Sequence, residues 1–272
     1  MKRRLYINSL ILLAFFLLGA QSALFAASVS QKCENLISDF MTLRMNLSFE
    51  SESSEAIQKI NKFKEDFDKE RSEYSEEEQL VIDNFIVNEI YNYQYNHSES
   101  RKSTKAKNES YIAKHKGEQL DKWVSTTAAD VISCYMSFSA SDVLKYGLSL
   151  KDFYQNAVSQ DEKMAYALMN LGQWYYWAPR LSGGSKKTAL SYMEKALQAA
   201  KTPAETYYAC IFLSQVLFEE GEKERCAKLL DQATEIAPQS TYLKAIRKMN
   251  REGDSLYQSN RKNSKMEGKP KD

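Results

Sequence analysis

Helix breakers are scarce in this 272-residue chain, which has nine glycines and four prolines. The long stretches free of turn signals argue against a sandwich or barrel of short strands. Histidine is nearly absent, with only His97 and His115. No CxxC, HExxH, GxSxG or nucleotide-type GxGxxG occurs, so common metal, nucleophile and dinucleotide sites leave no signature. Beyond residue 27 no apolar run is long enough to cross a bilayer. Charge is balanced as well, with 37 Lys and Arg against 36 Asp and Glu. A nucleic-acid footprint, which needs a basic excess, is therefore not expected.

What the chain does have begins with an address. Lys2, Arg3 and Arg4 precede the apolar run Leu5 to Leu18, and the small residues Ala26, Ala27 and Ser28 follow. Residues 1–27 thus read as a secretory signal peptide, and membrane contact is expected only through this segment if it stays uncleaved. The expected location is periplasmic or otherwise exported. Without those residues the formal charge is −2. Four cysteines remain, Cys33, Cys134, Cys210 and Cys226. An oxidising compartment permits three full pairings, and spacing chooses none.

Hydrophobic periodicity then predicts helix after helix. Leu36, Ile37, Phe40 and Leu43 share one face of the first. Ser53 or Ser54 is placed to cap a second, which carries Ile57, Ile60, Phe63 and Phe67 to about Arg71. Ser75 with Glu78 forms a capping box for a third, through Leu80, Val81, Phe85, Ile86 and Ile90. His97 to Ser110 is polar without a period and reads as a loop, a frayed end or an exposed helical turn. The next helix is expected near Lys107, carrying Tyr111, Ile112, His115 and Leu120, then continuing or restarting from Trp123 to Tyr135. Ser139 to Asp142 offers a cap for Val143, Leu144 and Tyr146, and Leu150, Phe153, Tyr154, Ala157 and Val158 give a further amphipathic segment.

Met164 to Ala200 is more specific. Leu168, Leu171, Gly172 and Tyr175 fall on one helical face; Ala189, Met193 and Ala196 recur after a Gly-Gly turn. A second unit repeats this, with Cys210, Leu213, Ser214 and Leu217, then Gly221, then Cys226, Leu230 and Ala233, then Pro238. Cys210 and Cys226 stand at small-residue core positions, which suits buried thiols. The pattern resembles the tetratricopeptide repeat (TPR), although the first turn is long and Met193 replaces an aromatic residue. The resemblance implies an all-α fold, an α-solenoid of TPR-like helix-turn-helix repeats, whose concave face or groove binds a peptide, protein or small ligand. The export signal and the Pro179, Gly183-Gly184 turn followed by Lys-Lys-x-Ala also resemble periplasmic repeat proteins associated with tripartite, ATP-independent transporters. The expected division is 1–27 signal peptide, 28–138 N-terminal helical region, 139–250 TPR-like repeats with a capping helix at Ser240 to Asn250, and 251–272 disordered polar tail.

No cofactor, metal or catalytic residue is indicated, so the expected function is non-catalytic. His115 and Glu118 lie three residues apart, but without a third ligand they read as a solvated helix face. Gly183-Gly184-Ser185-Lys186-Lys187 lacks Walker spacing and follows a helix rather than a strand, so it reads as a turn with Ser185 as a cap. Trp174, Tyr175, Tyr176 and Trp177 are consecutive and cannot share one buried stripe. With Arg180, Gly183 and Gly184 they form the candidate contact site. The expected partner is a protein, such as a solute-binding or transport component, or a small apolar ligand; the alternative is an envelope assembly scaffold with no small-molecule site.

Overall fold

A computed structural model describes residues 28–50, 52–93, 99–136 and 140–267. The signal segment, His97, Tyr95, Ser139 and residues 268–272 lie outside the described residues. The fold is an all-α helical-repeat solenoid, with no β-strand among the described residues. Helix α1 spans Gln31–Leu47, α2 Ser53–Glu70, α3 Glu76–Tyr93, α4 Glu99–Lys114, α5 Lys122–Met136, α6 Ala140–Tyr146 and α7 Ser149–Gln160. The repeats follow as α8 Ala165–Trp177, α9 Lys186–Ala199, α10 Pro203–Glu219, α11 Lys223–Ile236, α12 Thr241–Arg251 and α13 Leu256–Glu267.

The repeat pairs form for the reasons their residues suggest. Ala189, Met193 and Ala196 of α9 are buried against α8. A Cβ on Gly172 would lie 2.8 Å from Met193 Cγ and 3.2 Å from Ala189 O, so only glycine allows this approach. In α10 and α11, Cys210, Leu213, Ser214, Leu217, Cys226, Leu230 and Ala233 are all buried. Thr202 and Glu205 close a capping box at the start of α10, and Ser75 and Glu78 do so at α3. None of the four cysteines is in a disulfide. Burial pushes the Cys33 thiol up to about 12, helped by the Glu78 and Asp121 charges, and the Cys210 thiol to about 11.

Three expectations are corrected. The polar segment read as a loop, a frayed end or an exposed helical turn is part of α4, a full helix from Glu99 rather than from Lys107. The inward residues of its first half are polar: Thr104 and Asn108 are buried, and Asn108 exchanges two amide hydrogen bonds with Asn84 of α3, at 2.7 and 2.9 Å. Val143 and Leu144, in the segment for which Ser139 to Asp142 offers a cap, are 46% and 88% exposed on α6. Residues 251–272, expected as a disordered polar tail, contain α13, with Leu256 and Tyr257 buried. A reciprocal cap starts that helix, Gln258 N donating to Ser255 Oγ and Ser255 N to Gln258 Oε1, both at 2.9 Å. The array thus continues past the expected capping helix α12. The second helix also starts without a side-chain cap, from Glu52.

Helix α1 takes a position that no local pattern indicates. It packs on α3 and α10. It also meets α5, where Trp123 Nε1 donates to Glu34 Oε1 at 3.2 Å. Its C-terminal end meets α12, where Thr241 N donates to Ser48 O at 2.9 Å. Touching one helix of several successive pairs, α1 ties α3 and α5 to α10 and the start of α12. Arg44 is fixed there by contact of its Nε with Glu89 Oε2 at 2.7 Å and by stacking of its guanidinium 4.7 Å from the Tyr208 ring. Burial opposes the Arg44 charge, but the Glu89 carboxylate outweighs it and holds the proton more firmly than water would.

Candidate functional site

The aromatic run ends α8, and its four rings meet neighbours on three sides. Trp174 Nε1 donates to Gly147 O at 3.2 Å, and Lys151 lies 5.5 Å from its ring. Tyr175 stacks on Tyr192 of α9, with centroids 5.5 Å apart and planes 5° from parallel. Tyr176 is buried; it stacks on Tyr257 of α13 at 4.2 Å and donates from its hydroxyl to Glu219 Oε2 at 2.6 Å. The Arg261 guanidinium lies 5.1 Å from the Tyr176 ring and 5.2 Å from the Trp177 ring. Trp177 packs edge-on against Tyr257 at 5.6 Å and still leaves 43% of its surface exposed. Of the four candidate rings, three therefore serve internal packing, two of them against α7 and α9 and one against the segment expected to be tail.

The turn beyond Trp177 is built by its glycines. Arg180–Ser182 forms one 3-10 turn, ended by Gly183 with a left-handed φ of 93°. Gly184 N donates to Pro179 O at 3.0 Å, and Ser185 N to Tyr175 O at 2.8 Å. Ser185 Oγ accepts from Thr188 N and caps α9. A Cβ on Gly184 would lie 1.8 Å from Ala178 O, whereas one on Gly183 would meet open space. Gly184→Ala should therefore lower stability by at least ~2 kcal/mol, since backbone has to move, and Gly183→Ala by only about 1 kcal/mol. Urea midpoints check this; equal losses would refute the close approach.

Arg180 and Gly183 are exposed, and Gly184 is half-buried. Residues that sequence reasoning missed lie at the same end of the α7–α8 hairpin. Leu148 adjoins Gly147, the partner of Trp174, and is 65% exposed, while Leu181 at the turn apex is 102% exposed. Nothing in a sequence distinguishes an exposed leucine from a buried one on a short helix, so no signal marked them.

Two other groupings hold polar chemistry. Inside the fold, Asp130 of α5 accepts from Tyr154 OH at 2.8 Å, Tyr166 OH at 2.7 Å and Asn170 Nδ2 at 3.1 Å. Burial pushes its carboxyl up to about 6, against the pull of the two tyrosines and Arg44. The cluster ties α5, α7 and α8 together. His115, expected on a solvated face, is half-buried beyond the end of α4, stacked on Tyr111 at 4.4 Å, with Nδ1 2.8 Å from Glu118 Oε2. No group of three or more His, Cys, Asp or Glu residues among the described residues is arranged to hold a metal. An open depression of about 320 Å³ lies between α9, α10 and α11, crossed by the Arg225–Glu194 pair at 2.8 Å, and includes none of the candidate residues.

The fold and its surfaces define a class, an all-α helical-repeat protein whose first helix packs against its later repeats. No protein-family model matches the chain, and no curated protein matches it.

Proposed function

We propose that the protein is an exported, non-catalytic TPR-like scaffold that works by surface contact, accompanying a transport system or an envelope assembly. One observation carries the reading. All the large apolar side chains exposed among the described residues, Val143, Leu144, Leu148, Trp177 and Leu181, fall on α6 and its junction with α7, or at the end of α8. Clustered exposed apolar surface of this kind marks interaction sites more often than scattered leucines do. Helix α1 already covers parts of α3 and α10, and the exposed apolar side chains lie away from it on α6 and at the end of α8. The export part of the reading is supported by Lys2 to Arg4 followed by Leu5 to Leu18. The TPR part is supported by the two repeat units and the close approach at Gly172.

A photo-cross-linking residue placed at Leu181 should capture a neighbour in the native envelope, and the same residue at Gln198, in the depression between α9 and α11, should not. Equal capture from both positions, or none from Leu181, would remove the contact surface from consideration.

A further inference from the structure

We propose that the exposed end of the α7–α8 hairpin seats the protein on an anionic lipid bilayer; this rests on the reading of that end as the contact surface. The first argument is shape. Leu144, Leu148 and Leu181 protrude at 88%, 65% and 102% exposure, and Leu181 sits at the apex of a tight turn. Protruding side chains insert into a soft interface, whereas a protein partner would need a pocket moulded around each. Trp177, 43% exposed at the same end, is a side chain that favours the headgroup level, joining apolar area to one N–H donor.

The second argument is charge. This end carries Lys145, Arg180, Lys186 and Lys187; the acids beside it are Asp142, paired with Lys105 at 2.7 Å, and Glu109, Glu219 and Glu220, which pair with Lys145 and Lys186. Lys145 is paired with Glu109 at 3.0 Å and Lys186 with Glu219 at 3.0 Å. Arg180 and Lys187 are exposed beside the protruding leucine. Basic groups flanking inserted apolar side chains are the combination that anionic headgroups attract. The sequence alone suggests membrane contact only through the N-terminal apolar run; residues 143–187 are a different segment.

The test is vesicle flotation with the chain from Ser28 onward, because every contact described above lies within residues 28–267 and the Leu5 to Leu18 run would otherwise bind lipid by itself. Vesicles of phosphatidylcholine with about 30 mol% phosphatidylglycerol should carry the protein, and pure phosphatidylcholine should carry much less. Leu144→Glu with Leu181→Glu should lower partitioning by tenfold or more, and Arg180→Ala by about fivefold. Unchanged circular dichroism and melting temperature, expected because these side chains are exposed, establish that the variants fold. No flotation, or flotation indifferent to these substitutions, overturns the assignment. Cross-linking from Leu181 to a protein without flotation keeps the contact surface and rejects lipid as its occupant. A concentration-dependent dimer abolished by the leucine changes, again without flotation, makes a second copy the occupant and rejects lipid too.

Discussion

Glu89→Ala should destabilise the protein by about 3–5 kcal/mol, because it leaves the Arg44 guanidinium buried with its counter-charge removed. Arg44 and Glu89 side chains are only 15% and 5% exposed, and their 2.7 Å contact joins α1 to α3 inside the fold. The double substitution Arg44→Met, Glu89→Met removes both charges and keeps the volume, so it should recover much of the loss. Replacing a buried pair by apolar groups is often neutral, whereas breaking it is costly. Urea unfolding of the three chains decides the matter. A double variant as unstable as Glu89→Ala would mean that packing of α1, and not the stranded charge, sets the cost.

Asp130 should behave differently at its two obvious replacements. Asp130→Ala strands two tyrosine hydroxyls and the Asn170 amide and should cost about 3 kcal/mol or more. Asp130→Asn keeps an acceptor and carries no charge, so it should be tolerated. The pH dependence has a definite sign. Burial raises the folded-state carboxyl from its ordinary 3.8 to about 6. The proton is therefore bound more tightly by the folded chain, and this group's stabilising contribution is complete below about pH 4 and lost as pH rises through 6. Relative to Asp130→Asn, the wild type should gain roughly 2 kcal/mol as pH falls from 7 to 4. Other carboxylates, such as Glu78 and Glu109, are held below their usual range and lose stability on acidification, so the comparison has to be made between the two chains. Parallel pH profiles would show that Asp130 titrates as in water.

The repeat pairs were legible because their contacts are local and made by small or apolar residues. Gly172 against Met193 is a spacing of 21 positions across one turn, and periodicity places both on facing sides. Helix α4 escaped because hydrophobic periodicity cannot register an inward face made of Thr104 and Asn108, whose partners are other amides and hydroxyls. Helix α13 had a readable signal, Ser255 three residues before Gln258, hidden by the polar composition around Leu256 and Tyr257. The consecutive aromatics announced that no single stripe would hold them; which neighbour each one meets depended on α13 and on Gly147, both distant in sequence. The site was legible to the same degree. Trp177, Arg180 and Gly183 are exposed where the sequence directed attention, but the leucines beside them are distinguished only by what fails to cover them.

Hydrogen bonds from Thr241 to Ser48 span 193 positions of sequence and bring the beginning of the described chain to its last repeats. An open solenoid can shed or add a unit at either end, because each repeat relies only on its neighbours. Here both ends are occupied by one another, so fraying from a terminus would have to break the α1 seat as well, and unfolding is expected to be a single cooperative event. The order of synthesis runs the other way. Helix α1 is made before α10 and α12, against which it rests. Until they arrive the part of α1 that meets them has no permanent partner, and this is the interval in which such a chain would depend on a holdase.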